Sequence, residues 1–238
     1  MERSKRGIRF RRVVTTVFAV AGPVALIPAG SAGAVTIDAA AECCSFVGSP
    51  FSQAAGTEAQ FSNPGAPNRV PHNVYSKGVG PDGGSLFYSK TIGPGMSTPV
   101  DGTEYLPAGR YPFLCTLHSG MNGILDVTGG TPVARPKVSP TIRSRSLSAV
   151  RSKGAVELSL KASASTGPVT VTVSANGKQV ATKKIGSRRS GETRKISVKL
   201  TSKGRKTIAK GSMVRLKVRS SAEFGLVLTA SKALRAGK

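Results

Sequence analysis

Short runs of alternating apolar and polar residues, each ended by a turn signal, constrain the fold of this chain more than any other feature. Lys195-Ile196-Ser197-Val198-Lys199-Leu200 and Met213-Val214-Arg215-Leu216-Lys217-Val218 place every second side chain on one face, the pattern of a half-buried strand. Asn176-Gly177 separates Val169-Thr170-Val171-Thr172-Val173 from Gln179-Val180-Ala181-Thr182. Both turn residues tolerate positive φ, so a hairpin is expected there. Nearer the N-terminus, Glu58-Ala59-Gln60-Phe61-Ser62 alternates between a turn at Ala54-Ala55-Gly56-Thr57 and a loop at residues 63–68. Pro71 keeps Val70 out of the helical region. Residues 35–130 hold no helical periodicity beyond two turns, and residues 202–210 read as one short helical turn. The fold class is therefore all-β.

Charge divides the chain. Residues 35–130 carry 4 Lys and Arg against 7 Asp and Glu, whereas residues 131–238 carry 25 against 3, a net of +22. So abrupt a change predicts two modules with different surfaces. Gly129-Gly130-Thr131-Pro132 opens a stretch that runs through Pro136 and Pro140. It reads as a Pro-rich, semi-rigid linker over residues 131–148, with a second, smaller β-sandwich over residues 149–238. That module's charge should attract polyanions: an anionic wall polymer, lipid head groups or extracellular polysaccharide. Phe224 is its one aromatic residue, which leaves no stacking platform for bases, so no specific nucleic acid is expected.

Residues 1–34 read as an export signal. Arg3, Lys5, Arg6, Arg9, Arg11 and Arg12 form a basic start, an apolar stretch follows from Val13 to about Ile27, and Ala32-Gly33-Ala34 is a small-residue cleavage site. Gly22, Pro23 and Pro28 interrupt the apolar run, which is short for a membrane span of about 20 residues. The expected location is extracytoplasmic, secreted or envelope-associated. Both Sec and twin-arginine export stay open.

Three cysteines in an exported chain require an explanation. Cys115 lies in Cys115-Thr116-Leu117-His118-Ser119-Gly120-Met121, and the chain's other histidine, His72, stands 43 residues before Cys115. A thiolate, two imidazoles and a thioether are the donors of a blue-copper electron-transfer site, with the methionine long and axial. Thiolate and imidazole also suit zinc, but zinc leaves Met121 without a role. Met96, in Gly93-Pro94-Gly95-Met96, is a rival thioether better read as a loop or core residue. A Cys115 that binds metal is free of any disulfide, and Cys43 and Cys44 remain. Being adjacent, they would close a strained ring if bonded to each other. Pairing between chains and a reduced state are the alternatives.

At Pro71-His72-Asn73-Val74 and at Cys115-x-x-His118-x-x-Met121-Asn122-Gly123-x-Leu125-x-Val127, the first module resembles the cupredoxin family, and the plastocyanin and amicyanin group in particular. The resemblance spans residues 35–130 and implies a Greek-key β-sandwich holding one type 1 copper. Its ligands would be His72, Cys115, His118 and Met121, one from mid-chain and three from the loop before the last strand. It also implies that Asn73 ties the two ligand loops together, with Thr116 as its partner, and that electrons pass at the edge of His118 to a redox protein partner. Leu117, Pro112 and Gly120 would supply the apolar patch there. At Gly177-Lys178-x-Val180 and Leu200-Thr201-Ser202-Lys203-Gly204-Arg205-Lys206, the second module resembles, more loosely, basic immunoglobulin-like β-sandwiches that follow secreted domains in some bacteria.

Two histidines build one copper centre and no more, so reductase or oxidase chemistry on this chain alone is disfavoured and no enzyme is expected. The expected function is that of an exported one-electron carrier cycling between copper(I) and copper(II). The alternatives are a copper-binding or storage protein outside the cytoplasm and a wall-associated structural module without a redox role.

Overall fold

A computed structural model describes residues 33–67 and 69–236 of the chain. The export signal read over residues 1–34 therefore lies almost wholly outside the described residues. Among the described residues, no helix is long and apolar enough to cross a membrane.

The protein is all-β. Its first module strings nine strands into one hydrogen-bonded sheet: β1 (Thr36–Ala39), β2 (Phe46–Val47), β3 (Phe51–Ala55), β4 (Ala59–Asn63), β5 (Tyr75–Ser76), β6 (Tyr88–Ser89), β7 (Met96–Asp101), β8 (Gly109–Leu114) and β9 (Asn122–Gly130). The order across the sheet is β2-β1-β4-β7-β6-β5-β8-β9-β3. Phe46 stands on the first strand of that order and Phe113 on the seventh, yet their rings lie 4.8 Å apart, edge to face. The sheet therefore curls over and closes on its own apolar side. Phe51 and Phe87 also pack against Phe113, the first tilted and the second edge to face, and with Phe61, Val100, Leu106 and Leu125 they fill the interior. The alternation of 58–62 predicts this directly: Ala59 and Phe61 are fully buried, and their neighbours are not.

The second module packs two antiparallel sheets around a separate aliphatic core. One holds β10 (Val138–Ile142), β11 (Ala155–Ala162) and β14 (Thr193–Lys199); the other, in the order β13-β12-β15-β16, holds β12 (Val169–Ala175), β13 (Lys178–Ile185), β15 (Met213–Ala222) and β16 (Leu228–Arg235). Asn176 and Gly177 turn β12 into β13 with φ of 48° and 82°, as the hairpin signal requires. The helical turn over 202–210 is α2 (Ser202–Ala209), capped by the Thr201 hydroxyl, which accepts from Gly204 N. A further short helix, α1 (Leu147–Lys153), has Ser146 as its cap.

Strand β10 falls inside the stretch read as a linker. Its prolines argued for an open connection, but Pro140 sits on an edge strand, where the absent N–H interrupts no ladder. β10 pairs with β11 from Val138↔Ala162 to Ile142↔Leu158. The modules also touch. Phe224, at the turn after β15, packs against Tyr88 and Tyr105. The Tyr88 hydroxyl donates to the Glu223 carboxylate, and Arg135 donates to Phe224 O at 2.9 Å while covering the Tyr105 ring. Gly102 makes room: its φ of 97° and the Phe224 ring, 2.8 Å from where a Cβ would stand, both exclude a side chain.

Candidate metal centre

The hairpin between β8 and β9 closes with the pair Leu114↔Asn122. The seven residues between them, 115–121, form the loop that carries three of the four expected donors. Cys115 N donates to Met121 O at 3.0 Å, and Met121 N reaches back to His118 O at 3.4 Å. Gly120, at φ 83°, lets the chain reverse before Met121. The loop is therefore folded on its own backbone, with Cys115 and Met121 at its base, 2 % and 1 % exposed.

His72 arrives from the other side. Its backbone forms an isolated two-way bridge with Ile92, both bonds 3.0 Å. That bridge fixes the backbone at His72, whose side chain is fully buried. Its Nδ1 lies 3.8 Å from Cys115 Sγ, and the Nδ1 of His118 lies 3.5 Å from the same sulfur. The two imidazoles sit 4.6 Å apart, centre to centre. Burial, and after it the nearby His118, hold the His72 imidazole below its ordinary range. A neutral imidazole is the form that binds metal.

Asn73 joins the two loops. Its Nδ2 donates to Thr116 Oγ1 at 2.8 Å, and its Oδ1 accepts from Thr116 N at 2.8 Å. It also donates to Thr91 Oγ1 at 3.1 Å. Thr91, beside the Ile92 that bridges His72, went unnoticed in the sequence because a lone threonine carries no signal. Donor atoms of His72, Cys115 and His118 thus all lie within 4.8 Å of one another. Met121 is brought to the base of the same loop, through its backbone bond to Cys115. Met96, the rival thioether, is 53 % exposed on β7.

Two features near the site were not legible in the sequence. Cys43 and Cys44 are bonded to each other, one of the three states that the sequence left open. Their sulfurs and one nitrogen of His118 lie within 4.8 Å of one another.

No protein-family model matches the chain, and no curated protein matches it. Among solved structures it is similar to a reduced mutant of amicyanin, with 22 % identity over 40 % of this chain and 83 % of that one and a TM-score of 0.33. It is also similar to amicyanin from Paracoccus versutus, with 22 % identity over 44 % of this chain and 87 % of that one and a TM-score of 0.32. These likenesses cover less than half of the chain, so the functional reading rests on the residues of the site.

Proposed function

We propose that this protein is an exported, single-copper electron carrier of cupredoxin type, in which His72, Cys115, His118 and Met121 would hold the metal. One observation carries the reading: two imidazole nitrogens lie 3.8 and 3.5 Å from one buried thiol, with a buried methionine at the base of the same loop. Copper bound there supplies a reversible one-electron couple between Cu(I) and Cu(II). The protein's part is rigidity. The Cys115–Met121 backbone bond, the His72–Ile92 bridge and the Asn73–Thr116 pair hold the donors whichever oxidation state is bound, which keeps rearrangement small. Burial of His72, Cys115 and Met121 keeps water from the metal. His118 is only partly buried and Leu117 beside it is 49 % exposed, so electrons would cross to a redox partner at that edge.

In the same reading the second module tethers the carrier to an anionic envelope polymer. On the outer face of the β13-β12-β15-β16 sheet, Arg215, Lys217 and Arg219 alternate along β15, all exposed. Their neighbours across the ladders are hydroxyls: Thr172 and Thr229 beside Arg219, Ser174 and Ser231 beside Lys217. This face forms a groove of about 1020 Å3. Alternate strand residues stand roughly 7 Å apart, so the cations form a row suited to a linear polyanion.

The test is visible absorption and paramagnetic resonance after adding copper(II) to the purified protein. An intense thiolate-to-copper band that Cys115→Ser abolishes is expected; a colourless wild type, or a band that survives the substitution, overturns the reading. Reversible voltammetry with fast electron exchange separates a carrier from a copper store.

A further inference from the structure

His118 belongs to two donor sets. Inside, it faces the Cys115 thiol. Outside, it lies against Cys43 and Cys44, and the three donor atoms fall within 4.8 Å of one another. The cysteines sit in the loop that joins β1 to β2, closed by Ala40 N donating to Ser45 O at 2.9 Å. The packing of Phe46 on Phe113, 4.8 Å between rings, pins that hairpin to the strand that leads into Cys115. The cysteine pair is thus carried to the histidine by the apolar core and does not depend on a flexible loop finding it. Cys44 has a φ of 86°, a conformation that a residue with a side chain adopts at a cost and that persists only where the surroundings impose it.

We propose that Cys43, Cys44 and His118 form a second metal site, closed by the disulfide and opened by its reduction, that takes copper(I) at the rim of the buried one. Bonded to each other, the sulfurs are poor donors. An external dithiol reduces them by exchange: it gives up two electrons and two protons and becomes a disulfide, and Cys43 and Cys44 become two thiols. Copper(I) then displaces the thiol protons to water and binds two thiolates and one imidazole. Soft thiolates select copper(I) or zinc, and three donors leave zinc short of its usual four. Cys43 and Cys44 are exposed, within reach of both a reductant and a metal donor. The site does not depend on the buried one holding copper, because it keeps its own two sulfurs.

The experiment removes the inner thiol. Purified Cys115→Ser protein, and Cys115→Ala as a second variant, are titrated with copper(I) against a chromogenic copper(I) chelator. Each is tested as isolated, and again after phosphine reduction and removal of the phosphine. The reduced form should bind one copper(I) per chain at least tenfold more tightly than the disulfide form, and X-ray absorption should show two sulfurs and one nitrogen. Adding Cys43→Ser should abolish the gain, and adding His118→Ala should remove the nitrogen. Equal affinity in the two redox states, a gain that survives Cys43→Ser, or tight binding of zinc(II) but not copper(I) would overturn the site. A protein that fails to turn blue with copper(II) in its unsubstituted form would leave these outcomes unchanged, so the two readings fail separately.

Discussion

Asn73 and Thr116 clasp each other with two hydrogen bonds of 2.8 Å, side chain to side chain and backbone to side chain, and so lock the loop of His72 to the loop of Cys115. Asn73 is 7 % exposed. Replacing it with Ala removes both bonds to Thr116, which is itself exposed and can turn to water, at a cost of about 0.5–1.5 kcal/mol per bond. A fall of several degrees in the melting temperature of the metal-free protein is expected. Copper affinity should drop about 10–100-fold, as it does when ligand-orienting contacts are lost. Thr116→Ala keeps the backbone bond and should do less on both counts. Calorimetry and competition with a copper chelator measure these effects.

Met121→Leu conserves volume in a site only 1 % exposed, so stability should change by less than about 1.5 kcal/mol. The thiolate and both imidazoles remain, so the blue colour should persist. If the thioether of Met121 holds the metal as proposed, its removal would take a donor from the oxidised form and the reduction potential should rise. Voltammetry on both forms decides; an unchanged potential places the sulfur of Met121 away from the metal.

Phe224 is the single aromatic of the second module, and it is spent on the contact with the first, against Tyr88 and Tyr105. Phe224→Ala should destabilise the chain by about 3 kcal/mol and uncouple the modules. Scanning calorimetry should then resolve two transitions where the parent shows one. Tyr88→Phe, which removes only the hydroxyl bonded to Glu223, should give a smaller shift of the same kind.

Burial, and then Glu223, push the Asp101 carboxyl above its ordinary range, against the pull of Lys90. Burial, with Glu104 and Asp101, does the same to Glu58. Between the ordinary and the raised pKa, the folded chain holds more protons than the unfolded one, so these groups lose stability as pH rises through that window. Asp126, bonded to Arg110 at the surface, is shifted the opposite way and opposes the trend weakly. Asp101→Asn should therefore raise the melting temperature at neutral pH by roughly 1–3 °C and leave it unchanged near pH 3, where the parent carboxyl is already protonated. A stabilisation equal at both pH values would assign the effect to packing.

Arg215, Lys217 and Arg219 lie in one row. Changing all three to Gln should weaken binding to a long polyphosphate and reduce the slope of log affinity against log salt by up to about 3. Neutralising Lys153, Lys203 and Lys210, exposed elsewhere on the module, should do less. Equal losses from both sets would make net charge, and not this face, the attractant.

The sequence by itself determined the all-β class, because strand alternation and turn residues are local properties. Ala59 and Phe61, Asn176 and Gly177, and the alternation through β15 each show their outcome within a few residues. It also determined which atoms are chemically able to hold a soft metal, since the chain has only two histidines and one cysteine outside the vicinal pair. Tertiary structure decided what those atoms face. Asn73 meets Thr116 and Thr91, and His72 meets Cys115, because β5 pairs with β8 on one side and β6 on the other. The Cys43–Cys44 pair reaches His118 through the closure that rests Phe46 on Phe113, and Phe224 finds Tyr88 across a module boundary. These contacts join residues 18 to 136 positions apart. Their partners are selected by burial of a shared apolar core, a sum over the whole chain that leaves no trace at either position alone.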